Sequence, residues 1–121
     1  MESRPQRRSD SIVLSDNIQN LSVMALKVLN NVATLNFELV QATLSSGSLQ
    51  QEFIHMLGFF LASCVGNNTS DILLQQVLIL IGYYTLQNPS NQETMRWGNT
   101  PNLLQRLTNL PIQYFIEPTY V

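Results

Sequence analysis

The stretch that decides the fold lies in the second half of the chain. It reads LQQVLILIGYY at residues 74–84, NPSNQ at residues 88–92 and GNTPNLLQRL at residues 98–107. The first segment is apolar on most sides, which is typical of a deeply buried helix. Asn88 precedes a proline and therefore ends that helix. Ser90 and Glu93 have the spacing of a capping box, Gly98 is suited to close the short helix they open, and a threonine followed by Pro101 starts the next one. The stretch predicts three successive helices joined by short polar links.

Helical signals of the same kind continue upstream as far as residue 15. Ser15 and Asp16 are good N-caps, and apolar residues then recur at helical spacing up to Leu35. Asn36 is suited to cap a short second helix that ends near Gly47. We therefore predict an all-α chain of about six helices, over residues 16–35, 36–44, 49–65, 71–86, 91–97 and 101–110.

The N-terminal residues 1–14 differ in composition from the rest. They are polar, rich in Arg and Ser, and show no apolar period. Such a segment cannot bury enough apolar surface to offset the entropy of ordering it. We predict a disordered tail over residues 1–14, in which Ser11 fits a loose basophilic kinase pattern and is a candidate phosphorylation site.

An internal repeat organises the helical part. In each copy a long helix ends in a polar link, an Asn-started short helix follows, and a glycine turns the chain into another helix. Val28 and Leu80 hold equivalent places 52 positions apart, and Asn36 and Asn91 are 55 positions apart, against about 40–47 residues in armadillo and HEAT units. The second copy resembles an armadillo repeat, with its Asn-Pro-x-Asn link and Pro-x-Leu-Leu helix. The resemblance implies an armadillo/HEAT-like α-solenoid fragment over residues 15–121.

Less degenerate elements carry a second resemblance: GYYT at residues 82–85, NPSNQ at residues 88–92 and LPIQYF at residues 110–115. From about residue 20 to 118 the chain resembles the C-terminal helical region of the family of S-phase cyclin A-associated proteins in the endoplasmic reticulum. This resemblance implies a fragment of an intracellular, cytoplasmic protein associated with the endoplasmic reticulum. It also implies protein partners, namely cyclin A with its kinase, or ribosome-associated factors.

Composition and charge restrict the partners further. Only 12% of the residues are charged, against about 25% in an average soluble domain. The net charge is −2, which argues against a direct nucleic-acid surface because such surfaces are usually basic. The apolar runs are too short, or too interrupted by glutamines, to predict a membrane span. With so few charges, uncovered repeat faces are expected to self-associate.

The residues that could carry chemistry do not form a recognisable motif. His55 is the only histidine and Cys64 the only cysteine, and no second metal-ligating residue has the spacing of a metal site. No nucleophile elbow or phosphate loop is present. We therefore predict no catalytic residue, no metal and no cofactor. The alternative is a small helical ligand-binding or enzymatic domain with a closed pocket near His55.

Partner contacts are predicted at five positions: Asn30, Asn31, Tyr84, Arg96 and Trp97. Trp97 follows Arg96 on a short helix before a glycine, where partial exposure is common. The two asparagines lie towards the end of a long helix, the place from which armadillo solenoids hold extended peptides. The sequence thus predicts a non-enzymatic protein–protein interaction scaffold segment, linked by resemblance to cell-cycle or ribosome-associated regulation.

Overall fold

The computed structural model describes residues 15–64, 71–98, 102–108 and 110. It contains five helices, α1 (Asp16–Leu44), α2 (Leu49–Cys64), α3 (Asp71–Thr85), α4 (Pro89–Thr94) and α5 (Leu103–Thr108). No strand occurs within these described ranges, so the all-α prediction is confirmed. The predicted disordered tail over residues 1–14, with Ser11, lies outside the described residues.

The helix count differs from the prediction because of one residue, Asn36. The helix expected over residues 16–35 and the one expected over 36–44 form a single element, α1, interrupted at Asn36 by non-helical backbone angles of φ −159° and ψ 84°. The Asn36 side-chain oxygen accepts a hydrogen bond from the backbone N–H of Leu39 at 3.1 Å. This is the geometry of an N-cap, so the second segment starts where the sequence predicted, without an intervening loop. The predicted cap at Ser15 is also present, because its hydroxyl accepts from the Ile18 N–H at 3.3 Å.

Two helix starts in the second half are shifted relative to the prediction. Helix α4 begins at Pro89, and Asn88 caps it by accepting from the backbone N–H of Asn91 at 2.9 Å. The predicted box from Ser90 is therefore wrong, because Ser90 lies inside the first turn of a helix that Asn88 caps and that starts at a proline. Before α5, Asn102 and Gln105 each accept from the backbone N–H of the other at 2.9 Å. This reciprocal pair caps α5.

Helices α1 and α3 lie side by side and run in the same direction. Their contacts advance together along both segments: Asn30 bonds to Gln76, Thr34 to Tyr83, and Gln41 to the backbone of Leu86. The bonded residues are 46, 49 and 45 positions apart. Helix α2 therefore returns the chain to the level at which α1 began, and α3 then follows α1 in parallel at a nearly constant residue offset.

The core lies where α3 meets α1 and α2. Its most deeply buried apolar members come from α2 and α3 and are all 0% exposed: Leu57, Leu61, Leu73, Val77, Leu80 and Tyr84. Helix α1 contributes Leu26, Ala33 and Val40. Removing this apolar surface from water is the main stabilising term of the fold. The predicted deep burial of the fourth helix is thus seen in α3.

The link between α3 and α4 is held by a buried asparagine. Asn91 is 2% exposed, and its side-chain amide donates to the backbone carbonyl of Tyr84 at 2.9 Å. Its side-chain oxygen accepts from the hydroxyl of Ser45, at the end of α1, also at 2.9 Å. One side chain therefore ties the turn after α3 to the end of α1, and buried polar groups of this kind are costly to leave unpaired.

Helix α1 is the one described helix long and apolar enough to cross a membrane. Its most apolar 18-residue window has a mean hydropathy of 1.2 and is 22% buried. Length and composition do not distinguish such a helix from the core helix of a soluble protein. In this fold α1 buries Asn30 and Gln41, whose side chains donate hydrogen bonds to Gln76 and to the backbone of Tyr83.

Candidate partner-binding groove

An open groove lies between one face of α2 and the segment that leads into α5. Its volume is about 560 Å³, within the range of about 300–1,000 Å³ that ligand sites occupy. We call it the α2–α5 groove, and the described residues that line it are Gln51, Ile54, His55, Gly58, Phe59, Ala62, Trp97, Gly98, Asn102, Leu103 and Arg106. Most of its wall is carbon.

The wall from α2 follows helical spacing. Ile54, His55, Gly58 and Ala62 recur at intervals of one, three and four residues, which places them on one side of the helix. Gly58 has no side chain, and a Cβ built there would be 3.8 Å from a Leu103 methyl carbon. That distance is an ordinary van der Waals contact, so α5 packs directly on α2 at this point. Leu103, which is 3% exposed, forms the floor.

The opposite wall is Trp97, which is 42% exposed. Its backbone N–H donates to the Thr94 carbonyl at 3.1 Å, so it continues the last turn of α4. The chain then turns at Gly98, whose φ of 87° favours glycine. Two further bonds hold this segment to the start of α5: Leu104 N–H donates to the Met95 carbonyl at 3.0 Å, and the Asn102 side-chain amide donates to the Arg96 carbonyl at 3.3 Å. A large aromatic ring is thus half-exposed on a braced backbone.

One positive charge lies among the described residues that line the groove, that of Arg106, and none of these residues is acidic. The Arg106 guanidinium makes no ion pair with any residue the structure describes. The nearby Arg96 differs, because it pairs with Glu93 at 2.9 Å while both side chains stay mostly in solvent, and such surface pairs contribute little. Among the described residues, Arg106 is therefore the groove cation without an ion-pair partner.

The structure separates the five predicted contact residues into two groups. Trp97 lines the groove, Arg96 lies exposed beside it, and Asn31 is exposed on α1. Asn30 and Tyr84 are 6% and 0% exposed and are bonded within the chain. Asn30 lies on the face of α1 that α3 covers, and Tyr84 lies on the face of α3 that α2 and α4 cover.

Tyr84 packs and bonds entirely within the fold. Its ring lies 5.0 Å from that of Phe53 at an angle of 59°. Its hydroxyl shares a hydrogen bond with the Thr94 hydroxyl at 2.9 Å and accepts one from the Gln50 side-chain amide at 3.0 Å. The residue thus joins α2, α3 and α4 rather than presenting a surface.

Among the groove residues that sequence reasoning missed, three bear most on binding: Phe59, Leu103 and Arg106. Phe59 is 39% exposed, although the apolar run around it suggests a core position. The sequence carries no signal for this exposure, because consecutive residues of one helix can both be buried, as Phe60 and Leu61 are. No local signal indicates that Arg106 reaches α2, since that depends on how α5 packs.

Groups with chemical reactivity do not converge at the groove. Cys64 is partly buried, and burial raises the pKa of its thiol from 9.0 to about 11, with Asp71 adding a smaller effect in the same direction and Ser63 opposing it. A thiol with a raised pKa is a weak nucleophile at neutral pH. Among the described residues, no three His, Cys, Asp or Glu side chains are grouped so that they could hold a metal ion.

Comparison with known proteins gives one informative match. No family model matches the chain, and no solved structure matches it. The chain is 29% identical over 117 residues to human (Homo sapiens) S phase cyclin A-associated protein in the endoplasmic reticulum, and the match covers 97% of this chain and 8% of that protein. The resemblance predicted from the sequence is thereby confirmed: nearly the whole chain is similar to a small part of a cyclin A-associated protein of the endoplasmic reticulum.

Proposed function

We propose that this chain is a non-enzymatic scaffold segment that binds a protein partner in the α2–α5 groove. The observation that carries the proposal is the pairing of a half-exposed Trp97 with an exposed Phe59 across an open apolar groove. Aromatic residues in such positions dominate the energetics of protein interfaces. An open groove also suits a peptide better than it suits a small substrate, which needs enclosure.

The partner segment we propose has an apolar anchor followed by an acidic group. The anchor would pack between Trp97 and Phe59, above Leu103. A carboxylate beside it would meet the Arg106 guanidinium, which can bind it with two parallel hydrogen bonds. The absence of acidic residues from the described lining supports this charge preference.

The armadillo-like solenoid remains a proposal, supported by the register of α1 and α3. Besides the helix contacts, Ser45 bonds to Asn91 and Asn88 bonds to Gln41, with 46 and 47 positions between the partners. Similar offsets between parallel segments, here 45 to 49 positions, are expected where one repeat stacks on the next. The spacing is also nearer the 40–47 residues or so of armadillo and HEAT units than the interval predicted from the sequence.

Our proposals for the partner and for the cellular location are based on the similar human protein. The relative's name associates it with cyclin A and with the endoplasmic reticulum, and this chain matches 8% of its length. We propose cyclin A with its kinase as the first partner to test, with ribosome-associated factors second. We further propose that the chain acts on the cytoplasmic side of the endoplasmic reticulum. Phosphorylation of Ser11 and a contact by Asn31 stay predictions.

Trp97 is the only tryptophan in the chain, so its fluorescence reports directly on the groove. A library of tryptophan-free peptides, each with one aromatic or aliphatic anchor and either Asp/Glu or Lys/Arg beside it, can be titrated against the full chain. We expect the acidic peptides to shift Trp97 emission to the blue, because burial removes water from the indole. Replacing Arg106→Gln should weaken their binding about tenfold, in line with a charged hydrogen bond of about 1.5 kcal/mol or more.

The same groove can be tested with purified cyclin A–kinase complex by measuring affinity for immobilised chain. Phe59→Ala should reduce binding, whereas Ile79→Ala, which removes an exposed side chain on α3, should not. If neither peptides nor complex respond to Phe59→Ala or Trp97→Ala while both variants stay folded, the groove is not the partner site. Binding with intact affinity in Phe59→Ala but not in Ile79→Ala would place the partner on α3 instead.

A further inference from the structure

The α2–α5 groove lies beside the last residue that the structure describes. That residue is Leu110, which is 5% exposed. Its backbone N–H donates to the Leu107 carbonyl at 3.2 Å, so Leu110 lies about one helical turn beyond Arg106, a lining residue of the groove. Residues 111–121 are therefore attached to the chain next to the groove.

The sequence of residues 111–121 contains the chemistry that suits this groove. The segment reads PIQYFIEPTYV, and Glu117 is its only charged side chain. In an extended backbone, side chains two positions apart lie on the same side, so Phe115 and Glu117 would present a ring and a carboxylate together. An apolar anchor with an acidic neighbour is the combination assigned above to a partner segment.

The segment is also long enough to reach the groove. Leu103, the floor, is seven positions before Leu110, about 10 Å at the rise of a helix. Because Pro111 lacks a backbone N–H, it favours a departure of the chain from the helical path. The five steps from Leu110 to Phe115 span up to about 16 Å when extended, so Phe115 can lie over Leu103. Glu117 then lies about 7 Å further along the chain, within the reach of a long arginine side chain.

Charge favours this segment over the other parts of the chain outside the described residues. Arg106 has no ion-pair partner among the described residues, and no described lining residue is acidic. Residues 1–14 contain three arginines and no aromatic residue, and residues 65–70 contain neither an aromatic nor an acidic residue. Residues 111–121 alone offer an aromatic anchor followed by a carboxylate.

From these observations we propose that residues 111–121 fold back into the α2–α5 groove of the same chain, with Phe115 between Trp97 and Phe59 and Glu117 on Arg106. The inference rests on the proposed function in one respect, that the groove accepts an apolar anchor with an acidic neighbour. A tethered segment has an effective concentration on the order of mM. A partner must therefore displace it, and the apparent affinity of the partner falls with the fraction of grooves that are free.

Acrylamide quenching of Trp97 in the full chain, with no partner added, tests whether the segment covers the groove. Phe115→Ala should raise the quenching constant about twofold or more and shift the emission to the red, because the indole regains contact with water. Tyr114→Ala is the matched control, since an extended segment turns that ring to the opposite side, and both values should stay unchanged.

Two results of this measurement would overturn the proposal. One is equal quenching in the unaltered chain and in Phe115→Ala, when circular dichroism shows both to be folded. The other is shielding of Trp97 that disappears on dilution, because the covering segment would then belong to another copy of the chain.

A charge exchange tests the pair formed by Glu117 and Arg106. Arg106→Glu should expose Trp97 to acrylamide as Phe115→Ala does, because two carboxylates repel each other. Adding Glu117→Arg to that variant should restore the shielding. A general loss of structure in Arg106→Glu would not be repaired by a second substitution in residues 111–121, so recovery identifies the pair. Exposure that persists in the double variant refutes it.

The acidic peptides described under the proposed function separate the two proposals. By calorimetry, their affinity should be about tenfold higher for Phe115→Ala than for the unaltered chain, the gain expected when a competitor that fills about 90% of the grooves is removed. Equal affinities would overturn the competition and leave the proposed function intact. Peptides that bind neither chain would refute the proposed function, whereas the quenching of Trp97 would still decide whether residues 111–121 fill the groove.

Discussion

The side-chain amide of Asn30 donates two hydrogen bonds to Gln76, one to its side-chain oxygen at 2.9 Å and one to its backbone carbonyl at 3.1 Å. These bonds connect α1 and α3 across 46 positions. Asn31, the next residue, points away from that interface and is exposed. Two adjacent asparagines thus have opposite environments, although the sequence gives them the same character.

The first prediction uses this pair. Asn30→Ala removes both bonds and leaves a small space between α1 and α3, so the free energy of unfolding should fall by about 1–2 kcal/mol. The side-chain oxygen of Asn30 is buried and has no hydrogen-bond partner among the described residues, which already destabilises the folded state. Removing this oxygen offsets part of the loss. Urea unfolding followed by circular dichroism measures the change. Asn31→Ala is the control and should stay within about 0.5 kcal/mol; equal losses in both variants would contradict this packing of α1.

A second pair of neighbours, Tyr83 and Tyr84, gives the second prediction. Tyr84→Phe keeps the ring against Phe53 but leaves the Thr94 hydroxyl and the Gln50 amide without that partner. Unfolding free energy should fall by about 1–2 kcal/mol, because Tyr84 is fully buried. Tyr83→Phe removes one bond to Thr34 at a more exposed site and should cost less than about 0.5 kcal/mol. Thermal unfolding of both variants decides this, and a larger loss for Tyr83→Phe would refute the assigned environments.

A structural feature could be predicted from the sequence where it depends on interactions between residues close together in the chain. The break at Asn36 and the cap at Ser15 follow from side chains that reach their own backbone three residues on, and both were predicted. The roles of Asn30 and Tyr84 depend on which face of a helix another helix covers. For α3, apolar on most sides, no pattern in the sequence distinguishes those faces.

The groove shows the same limit. Trp97 was predicted because a short helix that ends at a glycine leaves its last residue partly exposed, and this depends on neighbours in the chain. Arg106 and Leu103 reach the groove through the packing of α5 on α2, which brings together residues more than 40 positions apart. Gly58 faces Leu103 at this contact, but a glycine within a helix has several explanations when only the sequence is known.

The third prediction concerns the thiol of Cys64. Because the folded pKa is raised from 9.0 to about 11, the thiolate fraction at pH 8 should be about 100-fold lower than in the unfolded chain. Alkylation by iodoacetamide at that pH should accordingly be about two orders of magnitude slower in native buffer than in denaturant. The same shift makes the free energy of unfolding depend on pH. As the pH rises, the thiol of the unfolded chain ionises before that of the folded chain. The stabilisation from the neutral Cys64 thiol is therefore complete below pH 9 and is lost as the pH rises towards 11.

Mass spectrometry of the alkylated chain over time measures the rates. Cys64→Ser serves as the blank, since the chain has no other cysteine. Native and denatured rates that agree within a factor of about three would mean that the thiol is not shielded as the structure indicates.

The last prediction compares two glycines in different backbone conformations. Gly82 lies inside α3, and a Cβ built there meets nothing within 4 Å. Gly82→Ala should therefore raise the unfolding free energy by about 0.5–1 kcal/mol, because alanine loses less backbone entropy in a helix. Gly47, in the turn between α1 and α2, has a φ of 51°, which an L side chain adopts only with strain. Gly47→Ala should lower stability by about 1 kcal/mol although its Cβ also meets nothing. Because neither substitution creates a clash, opposite signs in urea unfolding would isolate backbone conformation as the cause, and equal signs would contradict the turn geometry at Gly47.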